Sequence, residues 1–227
     1  GLSYTTIKGS KNGLEAEVLF FVPLKSWCEV QKVKLTNTSG SKKSFKLFSF
    51  MEWCLWNAED DQNNLQRNLS TGEVEIKDNT IYHKTEYKDR RNHYAFYHSN
   101  TPIQGYDTDR ETFVGLNNEY SGPQAVIDGK ARNSHAHGWS PVASHYFEIE
   151  LGAGETRELI FILGYVENKD EEKWESKSVI NKTKALATIE RFNTPAKVNK
   201  ALNELKAYWD NLLSVYTIKS GDERLDR

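Results

Sequence analysis

The run Leu159-Ile160-Phe161-Ile162-Leu163 is apolar at every position, and it sets the first limit on the fold. In an extended chain such a run puts large side chains on both faces of a strand, so both faces must be covered. Just upstream, His145, Phe147, Ile149 and Leu151 alternate with Tyr146, Glu148 and Glu150. Period two marks a strand with one buried face. Gly152-Ala153-Gly154-Glu155 separates the two segments, and together they read as a hairpin.

The same signals recur along the first three quarters of the chain. Ala16, Val18, Phe20 and Val22 alternate until Pro23, and residues 30–36 form a strand that ends in the turn Asn37-Thr38-Ser39-Gly40. Residues 45–56 read as one long strand. Phe45, Leu47, Ser49, Met51, Trp53 and Leu55 share one face, and Phe48, Phe50, Cys54 and Trp56 the other. Val74-Glu75-Ile76 and Ile81-Tyr82-His83 flank Lys77-Asp78-Asn79-Thr80, a hairpin signal, and Ala125-Val126-Ile127 reads as a strand entering an Asp128-Gly129 turn. Roughly ten or more short strands with polar turns predict a mainly β fold, a large two-layer antiparallel β-sandwich.

The period then changes. Residues 181–192 read as a short helix, followed by Thr194 as N-cap and Pro195 at the first helical position. Val198, Ala201, Leu202, Leu205, Trp209, Leu212, Leu213 and Tyr216 recur at intervals of three and four, an apolar stripe on one helix. Such a helix packs on the sandwich or bridges to a following domain. The expected division is a sandwich over residues 1–178 and a helical linker over 179–227. The sequence opens on a strand-like segment without Met and closes on a polar tail, so a piece of a longer polypeptide is expected.

Composition narrows the function classes. A net charge of −2 with scattered Lys and Arg gives no pull toward nucleic acid or an anionic membrane. No apolar run is long enough for a membrane helix. Cys28 and Cys54 sit among apolar residues and read as buried free thiols of a reducing cytoplasm. Glycosylation sequons at Asn37, Asn68 and Asn181 carry no weight there. No Gly-rich phosphate loop, GxSxG or HExxH motif is present.

Three segments hold residues able to do chemistry. Residues 56–68 are dense in amides, carboxylates and one guanidinium, the groups that match sugar hydroxyls; a solvated loop with Asx-turns fits them as well. His135 and His137 would share one strand face, but no third ligand lies near in sequence, so surface or aromatic packing is the simpler reading and no metal site is assigned. Asp107 and Asp109 could be paired carboxylates, but a turn is the commoner setting for them.

Residues 47–57, 64–74, 82–87, 91–97 and 161–168 resemble, in order, the N-terminal region of the cellobiose phosphorylases of glycoside hydrolase family 94. Among them are Phe48-Ser49-Phe50-Met51-Glu52-Trp53, Asn64-Leu65-Gln66-Arg67-Asn68 and Arg91-Asn92-His93-Tyr94-Ala95-Phe96-Tyr97. The resemblance implies a galactose-mutarotase-like super-sandwich and a helical linker leading to an (α/α)6 barrel, in a cytoplasmic homodimer. It implies inverting phosphorolysis: inorganic phosphate, a co-substrate, attacks the anomeric carbon while an Asp of the barrel protonates the leaving oxygen. From cellobiose that gives α-glucose 1-phosphate and glucose. The implied partners are the disaccharide, the glucose acceptor and the chain's own barrel, with no cofactor. No catalytic residue is then expected in this chain, while Arg67, Asn64 and Asn57, with Gln66 beside them, are expected to border the acceptor-sugar subsite. A cellodextrin or chitobiose phosphorylase, a stand-alone carbohydrate-binding module and a purely structural sandwich are the alternatives. A binding module would expose Trp53 and Trp56 in a row; a phosphorylase domain would bury most of that surface.

Overall fold

The computed structural model describes residues 1–53, 72–85, 92–138, 140–216, 219–222 and 224–225. The chain forms β1 (Tyr4–Lys11), β2 (Leu14–Phe21), β3 (Cys28–Asn37), β4 (Lys43–Phe48) and β5 (Met51–Glu52). After the segment 54–71 come β6 (Gly72–Lys77), β7 (Thr80–Thr85), β8 (His93–Ser99) and β9 (Gly105–Asp109). Two short helices, α1 (Arg110–Val114) and α2 (Gln124–Asp128), precede β10 (Pro141–Leu151) and β11 (Thr156–Glu167). A small ribbon, β12 (Trp174–Ser176) and β13 (Val179–Ile180), leads into α3 (Thr183–Phe192) and α4 (Pro195–Leu213).

These strands build two facing antiparallel sheets. The larger has the order β1-β2-β3-β11-β8-β7-β6; in the smaller, β10 is flanked by β4 and β5 on one register and by β9. The fold is the expected β-sandwich. The doubly apolar strand β11 lies at the centre of the larger sheet, paired with β3 and β8. Leu159 and Phe161 point between the sheets with Val33, Leu35, Ile81, Ala95 and Tyr97 and meet Phe147, Ile149 and Leu151 of β10. Ile160 and Ile162 point the other way, with Val30, Tyr82, Tyr94 and Phe96, into a second core. Ala185, Ile189 and Phe192 of α3 and Val198, Ala201 and Leu205 of α4 close that core from outside.

The apolar stripe of α4 is thus used in part. Its first half packs on the larger sheet, while Leu212 and Leu213 at its far end are exposed, as is Tyr216, which lies beyond the helix and not on it. Thr194 caps the helix, its Oγ1 accepting from the Lys197 N–H at 3.4 Å, with Pro195 following as the pattern indicates.

Three readings from sequence need correction. Residues 141–151 and 156–167 are not a hairpin: β10 and β11 lie in different sheets, and residues 152–155 carry the chain from one layer to the other. Alternation identifies the inward face of a strand but not its hydrogen-bonded neighbour. Residues 45–52 are two strands interrupted at Ser49 and Phe50, although both keep one register on β10, with Phe48 opposite Tyr146 and Met51 opposite Ala143. The facial split holds: Phe45, Leu47, Met51 and Trp53 face the inter-sheet core, and Phe48 and Phe50 pack on Phe113 of α1. Ala125-Val126-Ile127 is helical within α2, and Gly129 ends it with a left-handed φ of 63°. A short apolar run does not separate one helical turn from a strand.

The inter-sheet arch is held by one side chain. Asn37 is fully buried, and its Nδ2 donates within 2.8–3.1 Å of the carbonyls of Ser41, Leu151 and Gly152, while its Oδ1 accepts from the Ser39 N–H and Oγ. Its backbone N–H donates to Glu155 O, and its carbonyl accepts from the Gly154 N–H. Asn37→Ala strands several buried polar groups, each worth about 1–3 kcal/mol. The expected loss is about 2–4 kcal/mol, read as a lower urea midpoint at unchanged slope.

Buried imidazoles make stability depend on pH. His145 lies in the inter-sheet core against Tyr97 (5.0 Å, 25°) and Phe161 (6.0 Å, 20°), which are 5.7 Å from each other. Burial holds its imidazole down to about 3, and those of His83 and His98 down to about 4. An unfolded chain titrates these groups near 6.5, so between about pH 6.5 and 4 it binds more protons than the fold does. Stability is therefore full above about pH 6.5 and falls as the pH drops toward 4. Urea midpoints should decline between pH 7.5 and 5, and His98→Gln should make that decline shallower.

Candidate functional site

The polar segment singled out in the sequence, with Asn57, Asn64, Gln66 and Arg67, lies outside the described residues. The residues on either side of it are described. It leaves from Trp53, at the end of a strand of the smaller sheet, and returns at Gly72, the first residue of the outermost strand of the larger sheet. The two described residues that flank it therefore belong to different layers.

The roots are held by close packing. Trp53 is buried and stacks on His83 at 5.5 Å and 21°. His83 in turn lies so close over Gly72 that a Cβ there would overlap its ring; only glycine fits. Trp53 Nε1 and His83 Nδ1 are buried and lack hydrogen-bond partners among the described residues. Nothing in either local sequence pairs these two residues, because they belong to different sheets.

A second strip runs beside the returning root. Glu73 bridges to His137, and the Gly138 N–H donates to Gly72 O at 3.2 Å. Ala136 is buried, and His135 and His137 are exposed, so the two imidazoles share one face as their spacing requires. They stack on each other at 6.5 Å, and His135 Nε2 lies 2.7 Å from the Tyr106 hydroxyl. No group of three or more His, Cys, Asp or Glu able to hold a metal ion occurs among the described residues. The pair supplies polar edges and ring faces, which suit hydroxyl-rich ligands.

Asp107 and Asp109 serve the backbone. They lie in strand β9, not in a turn. Asp107 is fully buried and accepts from the N–H groups of Arg132 and Ser134 and from Ser134 Oγ, which holds the 132–134 segment against β9. Asp109 caps α1, accepting from the Thr112 N–H at 2.7 Å. With these oxygens committed, the pair is structural. Cys28 is buried at the start of β3, where burial pushes its thiol up to about 11; Cys54 lies outside the described residues.

An ion network ties the helical end of the chain to the same sheet edge. Glu75 of β6 meets Lys182 and, at 3.0 Å, Lys84; Lys84 also reaches Glu73 at 2.9 Å and donates to Ser178 O at 2.6 Å. Burial pushes the Glu75 carboxyl up, but hydrogen bonds from Lys182, the Ile180 N–H and Lys84 outweigh it and leave the group lowered.

Comparison with known proteins agrees with this architecture. A family model described as glycosyl hydrolase 94, supersandwich domain, matches residues 1–195. The N,N'-diacetylchitobiose phosphorylase of Vibrio proteolyticus is 26% identical over 227 residues, which is 100% of this chain and 26% of that protein. The solabiose phosphorylase of Paenibacillus borealis is 26% identical over 157 residues, covering 67% of this chain and 20% of that protein. The chain thus spans about a quarter of the length of the phosphorylases it matches. Among solved structures, a bacterial glucoamylase complexed with acarbose superposes with a TM-score of 0.56 at 15% identity, over 89% of this chain and 26% of that one. A family match of that extent is decisive, and the chain belongs to glycosyl hydrolase family 94, whose supersandwich domain it carries over residues 1–195.

Proposed function

We propose that this chain is the N-terminal part of an inverting disaccharide phosphorylase, and that residues 54–71 form part of the wall of its acceptor-sugar subsite. The observation that carries the reading is the likeness to a diacetylchitobiose phosphorylase along 100% of this chain, within a family-94 match. In this reading, residues 1–178 are the sandwich and residues 179–227 lead on to a barrel that holds the general acid and the phosphate site. The whole protein acts in the cytoplasm as a homodimer, with phosphate as co-substrate and no cofactor.

The chemistry divides accordingly. Phosphate attacks the anomeric carbon, the glycosidic bond breaks, and the barrel's Asp gives its proton to the leaving sugar oxygen. The residues of this chain orient the leaving sugar. Arg67 offers five fixed donors and keeps its charge, so it can bridge two hydroxyls, and Asn57, Asn64 and Gln66 both donate and accept. The preferred substrate is cellobiose, a β-linked disaccharide of glucose. The burial of Trp53 favours an enzyme wall over a stand-alone binding module, which would offer that ring to solvent.

The parent protein decides the substrate. Supplied with phosphate and either cellobiose, N,N'-diacetylchitobiose or cellotriose, it is expected to release sugar 1-phosphate fastest from cellobiose, as α-glucose 1-phosphate, where diacetylchitobiose would give α-N-acetylglucosamine 1-phosphate. Preference for diacetylchitobiose would move the assignment to that branch of the family, and release from none of them would remove the phosphorylase reading.

Arg67→Ala in the parent tests the subsite. Losing a charge-assisted hydrogen bond costs about 1.5–3 kcal/mol, or about ten- to a hundredfold in binding. In the synthetic direction the KM for the glucose acceptor should rise by that factor, while the KM for phosphate in phosphorolysis stays within about twofold. Unchanged acceptor kinetics in a folded variant would make the loop structural, since a surface ion pair contributes only about 0–1 kcal/mol.

A further inference from the structure

A pocket lies at the foot of the larger sheet, beside α3. It occupies about 580 Å³ between the turn that precedes β3, the end of β11 and the outer side of α3. That size falls within the roughly 300–1,000 Å³ usual for small-molecule sites.

Its lining combines two kinds of group. Trp27 is 79% exposed, although it is the bulkiest apolar side chain available and sits next to a buried strand start. It packs on Tyr165 (6.3 Å, 40°), and both rings line the cavity. Around it stand Lys25, Lys184 and Arg191. Lys184 donates to the backbone carbonyl of Glu167 at 2.6 Å, while Lys25 and Arg191 have no carboxylate partner among the described residues. The one carboxylate of the lining, Glu167, is turned to His93 Nε2 at 3.5 Å. A fourth cation, Lys169, leans toward Glu172. Four cations against one lining carboxylate give this hollow a positive excess in a chain whose net charge is −2.

The backbone adds an independent sign. Lys25 adopts a φ of 54°, a left-handed conformation that costs a long side chain energy and that glycine would take without strain. Strained residues persist where the surrounding structure dictates them, and they gather at ligand sites. Here the strained turn sets Lys25 and Trp27 on the rim of the same pocket.

An exposed aromatic face takes the apolar side of a pyranose ring, and clustered guanidinium and ammonium groups take a phosphate. We propose that this pocket binds a hexose phosphate, with the sugar ring on Trp27 and the phosphate held by Lys25, Lys184 and Arg191. The proposal does not depend on the phosphorylase reading.

Isothermal titration of the 227-residue chain with glucose 1-phosphate and with glucose 6-phosphate tests it, with glucose and inorganic phosphate as comparators. At least one hexose phosphate should bind at least tenfold more tightly than either comparator, and more weakly as salt rises. Arg191→Gln should weaken it about ten- to a hundredfold and Trp27→Ala about tenfold, both with unchanged melting. Lys25→Gly should weaken binding while melting at the same or a higher temperature, which a merely structural lysine would not do. The proposal falls if neither hexose phosphate binds to a chain that melts cooperatively. It falls equally if glucose or phosphate alone binds as well, or if Trp27→Ala and Arg191→Gln both leave the affinity unchanged.

Discussion

Everything in this fold is arranged around one strand that cannot be left uncovered. β11 carries Leu159 and Phe161 on one face and Ile160 and Ile162 on the other, all buried. Burying such side chains stabilises by about 1.5–3 kcal/mol each, so water on either face would forfeit about 3–6 kcal/mol from β11 alone, a large share of the margin by which a domain is folded. The smaller sheet answers one face. The helices answer the other, which is why α3 and the first half of α4 belong physically to the sandwich, whatever lies beyond them.

That second layer also reaches the edge strand β6. Lys182, one residue before α3, and Lys84, on the strand next to the sheet edge, share the carboxylate of Glu75, two positions from Glu73 and its bridge to His137. Taking these ions out of water is unfavourable unless each is fully paired, and here both lysines also donate to backbone carbonyls. The network gains in definition what it gives up in raw stability: the direction in which α3 leaves the sandwich is tied to the strand that receives the loop.

Much of the fold was legible in the sequence where a local rule and the tertiary structure agree. The turn between β6 and β7 has Asp78 at a φ of 55°, a conformation Asp and Asn tolerate, and the pattern around it marks a hairpin. Thr194 and Pro195 mark the start of α4 by their own chemistry. The arch between β10 and β11 was not legible, because Gly152-Ala153-Gly154-Glu155 suits a hairpin and a layer crossing equally; the difference lies in Asn37, more than a hundred residues away. For the candidate site, composition marked the loop, and the resemblance named Arg67 and its neighbours. The packing of Trp53, His83 and Gly72 that roots the loop could not be read, since it joins residues whose proximity exists only after both sheets have formed. The pocket at Trp27 left only an isolated tryptophan and scattered cations as its trace.

Asn37 has one more consequence. Asn37-Thr38-Ser39 is an acceptor tripeptide for N-linked glycans, and its amide nitrogen is the group that closes the arch. Production in a secretory host would set two processes in competition on the nascent chain. If strand pairing came first, the amide would be sealed; if a glycan came first, a bulky polar tree would occupy the seam between the layers, and the sheets could not meet. The yield of folded protein from such a host would then depend on the order of two kinetic events, whereas a bacterial cytosol without oligosaccharyltransferase would never pose the choice.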